Sequence, residues 1–292
     1  MDPALLLAGI ASGSLYGLVA VGFNILLRPT NVFNLAQGEI VMLGGMIGAS
    51  AALGLAMPWI AAAGLAILAG GILGLIEETV AVAPVLRRSA TGTAWVTTTL
   101  AFSLITSNLV GHIWGPDPLK MNPPAPLSMA SFDLLGVRTN SYQLGVILVA
   151  ILIVILVERF YRTRAGKAVQ AVAEDREAAL LRGIDPDSLS RWSFILGGGF
   201  AGLIGVLAAP MLNASTDMGP LLLLKGFEAT AVGGVGSNRG ALVAGYMLGL
   251  SEAIGASLLT PGYQQASTFI LLLAVLMIRP HGLFGHQEVR HV

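Results

Sequence analysis

Four ionisable residues lie inside long apolar stretches of the chain: Glu39, Lys225, Glu228 and Glu252. A charged side chain in such a stretch is costly when the stretch crosses a bilayer, so each one needs a functional or structural reason. Lys225 and Glu228 are three residues apart and would face one another on a helix. We therefore favour mutual neutralisation of this pair over a proton relay.

Glu39 ends the segment Asn34-Leu35-Ala36-Gln37-Gly38-Glu39, a polar start to an otherwise apolar run. Asn is a preferred helix N-cap, and Gln37 and Glu39 could bond the free amides of the first turn. This structural interpretation is favoured over direct contact with a solute. The candidates for a translocation path are Asn34, Gln37, Glu39, Lys225, Glu228, Gly233, Gly234 and Glu252.

The composition restricts the class of protein that can hold these residues. Of 292 residues, 55% are hydrophobic and only 11% are charged, whereas soluble domains carry about 25% charged residues. A soluble enzyme is thereby excluded. Lys plus Arg equals Asp plus Glu at 16 each, which leaves no excess positive charge for nucleic-acid phosphates. The chain has no cysteine, three of its four histidines lie in the C-terminal tail, and His112 lies near an outer span end. We therefore expect neither a metal nor a cofactor.

Apolar runs between charged or Pro-rich breaks predict an all-α polytopic membrane protein, with the whole chain, 1–292, as a single transmembrane domain. Eight longer runs are predicted to span the membrane: 4–27, 33–56, 58–79, 93–114, 140–157, 192–210, 240–259 and 265–278. A ninth, shorter segment at 221–236 is interrupted by Lys225, Glu228 and Gly233-Gly234. The chain therefore has either nine spans or, as an equal alternative, eight spans plus one re-entrant or broken segment.

Most of the 16 Lys and Arg residues fall on the side of the membrane that holds the loop 158–191. The positive-inside rule makes that side cytoplasmic and predicts an N-out, C-in topology. The loop 115–139 then lies outside. It contains five prolines, so we expect a stiff, extended cover with little helix.

Within the cytoplasmic loop, 166–182 is rich in helix formers and predicts one surface helix. Gly183 is placed to end this helix, and Asp185-Pro186 reads as N-cap and first residue of the next. A short helix joined by a tight turn to a span favours a docking element. The alternative is a helix lying on anionic lipid.

Nucleotide hydrolysis by this chain is not expected. The only Gly-Lys pair, Gly166-Lys167, is followed by Ala168, and no phosphate-binding Gly-x-x-x-x-Gly-Lys-Ser/Thr sequence occurs. The chain also lacks Gly-x-Ser-x-Gly and His-Glu-x-x-His, the usual parts of hydrolases. We therefore expect a non-catalytic protein.

Four ordered motifs resemble the permease subunits of ABC importers for branched-chain amino acids, LivH type. Leu35, Gln37 and Gln170 depart from the common family pattern, in which Phe, His and Arg stand at these positions. The motifs are Asn34–Glu39, Arg162–Ile184, Gly226–Ala241 and Arg279–Gly285.

This resemblance implies a permease of the bacterial inner membrane that carries branched-chain or related hydrophobic amino acids, or similar small carboxylates or amides. Its partners would be a second, LivM-like permease, two cytoplasmic ATPases that bind the ATP, and a periplasmic solute-binding protein. The helix 166–182 would be the coupling helix. Its ATPase-coupling residues would be Gly166, Ala171, Asp175, Glu177, Ala178, Ala179 and Gly183.

Two other classes of function stay open at this point. A self-contained, ion-coupled secondary transporter or channel would use Lys225, Glu228 and Glu39 as its path, and its uptake would survive ATP depletion. A membrane scaffold would bind partners without solute flux.

Overall fold

The computed structural model describes residues 3–88, 93–134, 136–258 and 261–285, and these are mostly helical. A π-helical turn, Glu78–Val82, joins α3 to α4, and a 3-10 turn, Pro261–Tyr263, precedes α12. The helices are α1 Pro3–Thr30, α2 Gln37–Gly54, α3 Trp59–Glu77, α4 Ala83–Arg88, α5 Ala94–Trp114, α6 Ser141–Phe160, α7 Arg164–Glu174, α8 Arg176–Leu181, α9 Pro186–Leu212, α10 Met218–Gly233, α11 Asn238–Leu258 and α12 Gln264–Ile278.

Each of the nine apolar segments predicted from sequence coincides with a helix. Within the described ranges, six helices are long and apolar enough to cross a membrane, and α12 is a shorter apolar helix. The six are Pro3–Thr30, Trp59–Leu86, Ala94–Trp114, Ser141–Phe160, Pro186–Leu212 and Asn238–Leu258. The count of eight or nine crossings, and their orientation, stay predictions.

The alternative of a re-entrant or broken segment at 221–236 is corrected in one respect, since the helix there has no break. This segment belongs to α10, a continuous helix of 16 residues that ends at Gly233. Lys225 and Glu228 do not interrupt it because they pair with each other (below). Gly234, with a φ of +92°, turns the chain out of the helix, a backbone conformation that favours glycine.

Contacts divide the chain into two compact units. The first consists of Met1–Asn24, Pro123–Glu158 and Leu224–Val292, and the second of Ile25–Asn122 and Arg159–Leu223.

In the first unit, α1 packs against α11 along a stripe of glycines. Gly9 lies on Gly249 and Gly13 on Gly245, so closely that a Cβ atom at any of these positions would overlap the opposing backbone. Small residues allow this approach where lipid supplies no hydrophobic force between helices. The sequence spacing of these glycines therefore reports helix packing.

In the second unit, the glycines of α9 face two other helices. Gly198 lies on Gly70 of α3, while Gly202 contacts Gly44 of α2 and Ala66 of α3. The same close packing thus fixes α2, α3 and α9 around one another, and with them the polar residues at the start of α2.

The proline-rich loop contains no helix between Gly115 and Asn140 in its described residues, as predicted. It includes a short hairpin that the sequence analysis did not predict. Strand β1 (Ser131–Leu134) pairs antiparallel with β2 (Val137–Asn140), with Ser131 opposite Asn140.

Candidate functional site

A buried ion cluster in the first unit joins four helices. The Lys225 cluster comprises Lys225 and Glu228 on α10, Glu252 on α11, Thr268 on α12 and Tyr16 on α1. Lys225 Nζ lies 3.2 Å from Glu228 Oε2, 2.8 Å from Glu252 Oε1 and 2.8 Å from Thr268 Oγ1. Tyr16 donates its hydroxyl to Glu252 Oε2 at 2.8 Å.

The predicted pairing of Lys225 with Glu228 is confirmed, and the structure adds Glu252 as a second partner. Lys225 and Glu228 are almost fully buried, at 2% and 0% exposure. The three N–H donors of an ammonium group match the three oxygens within reach. Two carboxylates therefore share one ammonium group.

Gly233 and Gly234, which follow Glu228 along the chain, lie directly against the backbone of two other segments. A Cβ at Gly233 would overlap Gly240, and one at Gly234 would overlap Gly285. Phe284 donates its backbone N–H to the Gly233 carbonyl at 3.1 Å. The third sequence motif, which contains these glycines, thus meets the fourth in space, and Gly233 and Gly234 allow close backbone packing.

A second buried polar cluster lies in the second unit, at the start of α2. The Asn34 cluster comprises Asn34, Gln37, Glu39, Glu77 and Ser103. Asn34 donates to Glu77 Oε2 at 2.8 Å, and its Oδ1 accepts from the backbone N–H of Ala36 at 2.7 Å. Ser103 donates to Glu39 Oε1 at 3.3 Å, and Gln37 donates to the Gly197 carbonyl at 3.4 Å.

This geometry corrects two interpretations made from sequence. Asn34 does not cap α2, because the N-cap position is Ala36 and no side chain caps the helix. Gln37 and Glu39 bond other helices and leave the free amides of their own first turn alone. Glu77, which accepts from Asn34, and its neighbour Glu78 are 0% and 3% exposed.

Three oxygens of the Asn34 cluster have no hydrogen-bond partner among the described residues: Gln37 Oε1, Glu39 Oε2 and Glu77 Oε1. All are acceptors when the carboxyl groups are ionised. No described residue forms an ion pair with Glu39 or Glu77. An acceptor-rich, cation-free cluster of this kind suits a proton or an ammonium group as its ligand.

Sequence reasoning missed Glu77, Ser103, Tyr16 and Thr268. Glu77 carried a usable signal, since Glu77-Glu78 is the only acidic pair inside the apolar run 59–86. The three hydroxyls carried none, because Ser, Thr and Tyr are common in membrane helices without any such role.

The predicted coupling helix 166–182 is two helices, α7 and α8, divided at Asp175. The backbone of Asp175 is extended, with φ −154° and ψ 107°, and its side chain accepts from the N–H groups of Glu177 and Ala178 at 2.9 Å. An Asp side chain competes with the helix backbone in this way and favours an N-cap over a helix interior. The single-helix prediction was wrong for this reason.

Both predicted ends of the segment are confirmed. Gly183 has a φ of +81°, and the N–H groups of Gly183 and Ile184 bond the carbonyls of Leu180 and Ala179, a Schellman ending. Asp185 caps α9 with Pro186 as its first residue.

The residues of α7 and α8 divide by exposure. Gly166 is closed in by the backbone of Phe160 and Tyr161, Ala179 is buried and Ala171 is half-buried. Asp175, Glu177 and Ala178 are exposed, and so are two apolar residues, Leu180 at 59% and Leu181 at 89%.

The six long apolar helices among the described residues define a multi-pass helical membrane protein. Residues 5–278 match the model of the family described as "Branched-chain amino acid transport system / permease component". The chain belongs to this family, and is a multi-pass bacterial membrane protein.

Relatives agree over nearly the full length. The high-affinity branched-chain amino acid transport system permease protein LivH of Salmonella typhimurium is 29% identical over 97% of this chain and 96% of its own. The corresponding protein BraD of Pseudomonas aeruginosa is 29% identical over 98% and 97%.

The fold also resembles that of a solved structure. A chain in the structure of PsaBC from Streptococcus pneumoniae in complex with Fab aligns with a TM-score of 0.51. The alignment covers 95% of this chain and 92% of that chain. At 15% identity it supports the architecture alone.

Proposed function

We propose that this chain is the membrane-spanning permease subunit of an ATP-binding-cassette importer for branched-chain or related hydrophobic amino acids. Its partners are a second permease, LivM-like or a second copy, two ATPases that bind the ATP, and a solute-binding protein. This chain hydrolyses no ATP and needs no cofactor of its own. The substrate class is supported by the relatives' names, which describe branched-chain amino acid transport.

The observation that carries the ATPase partnership is the segment α7–α8. N-cap side chains fix the start of each helix: Thr163 caps α7 and Asp175 caps α8. The exposed Leu180 and Leu181 then stand beside the exposed Glu177. Apolar side chains on a short polar helix with defined ends favour a protein interface.

The proposed topology is N-out and C-in, with eight to nine transmembrane segments, one of them short, and the whole chain as one transmembrane domain. The loop 158–191 would then be the cytoplasmic coupling loop, and the loop 115–139 would face the periplasm. Arg159, Arg162, Arg164, Lys167, Arg176, Arg182 and Arg191 lie in the coupling loop, which supports its cytoplasmic assignment.

The proposal is tested by purifying the tagged chain from its host in mild detergent and identifying its companions by mass spectrometry. Two ATPases and a second permease are expected. Glu177→Lys should lose the ATPases and ATP-driven uptake while keeping membrane insertion, and Gly183→Pro should do the same by breaking the Schellman ending. Glu174→Lys serves as the matched control on α7. A chain that purifies without ATPases contradicts the proposal.

A second candidate function is favoured by the acceptor-rich Asn34 cluster. A self-contained secondary transporter would bind its coupling proton or cation at Glu39 or Glu77. Uptake by this chain alone in proteoliposomes, driven by an ion gradient without ATP and lost in Glu39→Gln, would support it over the importer.

A further inference from the structure

A cavity of about 350 Å³ lies beside α8 in the second unit. Residues of the π-helical turn, α4, α8 and α9 line it, along with the end of α1. The residues that give it its chemistry are Glu78, Ala83, Leu86, Arg176, Asp187 and Ser190. Its volume is in the range of small-molecule sites.

The charged groups of the cavity have both signs. Arg176 Nη2 lies 2.5 Å from Asp187 Oδ1, which uses one of the five N–H donors of the guanidinium group. Glu78, from the π-helical turn, is 3% exposed, and Arg191 Nε lies 4.0 Å from its Oε2. Each carboxylate has two oxygens that accept more than one hydrogen bond. A ligand here can therefore present a carboxylate to the remaining donors of Arg176, and a cationic group to Glu78 and Asp187 alongside their arginine partners.

The apolar part of the lining comes from one helix. Ala83 and Leu86 are three residues apart on α4 and so share one face. Their side chains offer an aliphatic wall next to the charged groups.

Ser190 is an independent indication that the cavity binds a polar ligand. It is 2% exposed and lines the cavity, yet its hydroxyl has no hydrogen-bond partner among the described residues. A buried hydroxyl without a partner costs free energy. A polar ligand in the cavity would satisfy it.

We propose that this cavity binds a free α-amino acid with an aliphatic side chain, with its carboxylate on Arg176 and Ser190 and its ammonium group on Glu78 and Asp187. The occupied site ties α8 to α9 and to the π-helical turn, and so holds the coupling segment still. Resting on the proposed function, this makes it a feedback site: transported amino acid that accumulates on the side of α8 slows further import.

Binding is measured on the purified chain in nanodiscs, without partner subunits, by titration with radiolabelled L-leucine. Unlabelled 4-methylpentanoate, which is leucine without the ammonium group, and isoamylamine, which is leucine without the carboxylate, are tested as competitors. L-Leucine should bind and neither analogue should compete. Competition by 4-methylpentanoate at equal strength would show a simple anion site and overturn the proposal.

Two variants locate the binding. Arg176→Gln should weaken it by about tenfold or more, the value of a charge-assisted hydrogen bond, and Ser190→Ala by a smaller factor. Arg182→Gln, an exposed arginine outside the cavity, is the matched control. Unchanged affinity in Arg176→Gln would place the leucine elsewhere and refute the assignment, as would no binding to the wild type.

The regulatory effect is read in proteoliposomes that contain the whole importer, as the ratio of uptake rates with and without leucine preloaded on the side of α8. This ratio should fall below one for the wild type and return towards one for Ser190→Ala. An equal ratio in both would refute feedback through this site. The nanodisc titration needs no ATPase. Leucine binding to this cavity can therefore be confirmed or refuted even if the importer proposal fails.

Discussion

The Lys225 cluster and the Asn34 cluster are both buried polar groups among apolar helices, but they balance charge differently. In the Lys225 cluster one ammonium group lies within 3.2 Å of Glu228 and 2.8 Å of Glu252. In the Asn34 cluster, the donors that the described residues offer to Glu39 and Glu77 are neutral, namely the hydroxyl of Ser103 and the amide of Asn34.

This difference separates a structural role from a binding role. A buried carboxylate is stabilised by a nearby cation, and removal of that cation leaves an uncompensated charge. A carboxylate with only neutral donors has to find its balance in a proton or a bound cationic group. We therefore expect the Lys225 cluster to hold helices together and the Asn34 cluster to be the part that can take a ligand.

The largest effect is expected for Lys225→Met, which leaves Glu228 and Glu252 buried without a cation. The free energy of unfolding should fall by about 3–5 kcal/mol, measured by denaturant titration in mixed micelles. The triple variant Lys225→Met, Glu228→Gln, Glu252→Gln removes all three charges and should recover much of this loss. Wild-type stability in Lys225→Met would show that the cluster is not a structural ion pair.

The next effect is expected for Asn34→Ala, which removes the donor to Glu77 and the acceptor for the Ala36 amide. The loss of stability should be about 1–3 kcal/mol, since a buried carboxylate oxygen becomes unsatisfied. Adding Glu77→Leu replaces the second partner by an apolar group and should restore part of it. If the double variant is less stable than Asn34→Ala, Glu77 has another partner.

Glu228→Gln should cost only about 1 kcal/mol, the net value of one hydrogen bond, because Lys225 still pairs with Glu252. Glu228→Gln with Glu252→Gln strands the ammonium group and should cost several times more. Thermal unfolding of the two variants side by side checks this non-additivity. Simple additivity would mean that the two carboxylates act independently of Lys225.

The smallest effect is expected for Glu77→Gln, whose amide oxygen can still accept from Asn34. Stability should stay within about 0.5 kcal/mol of the wild type, since a neutral group replaces a carboxyl that has no cationic partner. Thermal unfolding of the variant and the wild type, followed by tryptophan fluorescence, measures this difference. A loss as large as that of Lys225→Met would reveal a cation that the Asn34 cluster depends on, and would erase the contrast between the two clusters.

Local signals in the sequence predicted much of this structure. The apolar runs located all nine longer helical segments, and the spacing of Lys225 and Glu228 predicted their pairing. Gly183 and Asp185-Pro186 marked the ends of α8 and the start of α9, because a left-handed backbone and a helix cap are decided by one or two residues. Two local predictions were wrong. The single helix 166–182 is divided because Asp175 caps α8, and Asn34 does not cap α2.

The sequence by itself determined the helices, their class and the ionisable residues that had to be accounted for, since bilayer length and the cost of buried charge act on each segment alone. Only the tertiary structure decided which residues meet. Glu252 reaches Lys225 from 27 positions away and Asn34 reaches Glu77 from 43. These pairings depend on how glycine-lined helices pack and rotate against one another, and a single segment carries no record of that rotation.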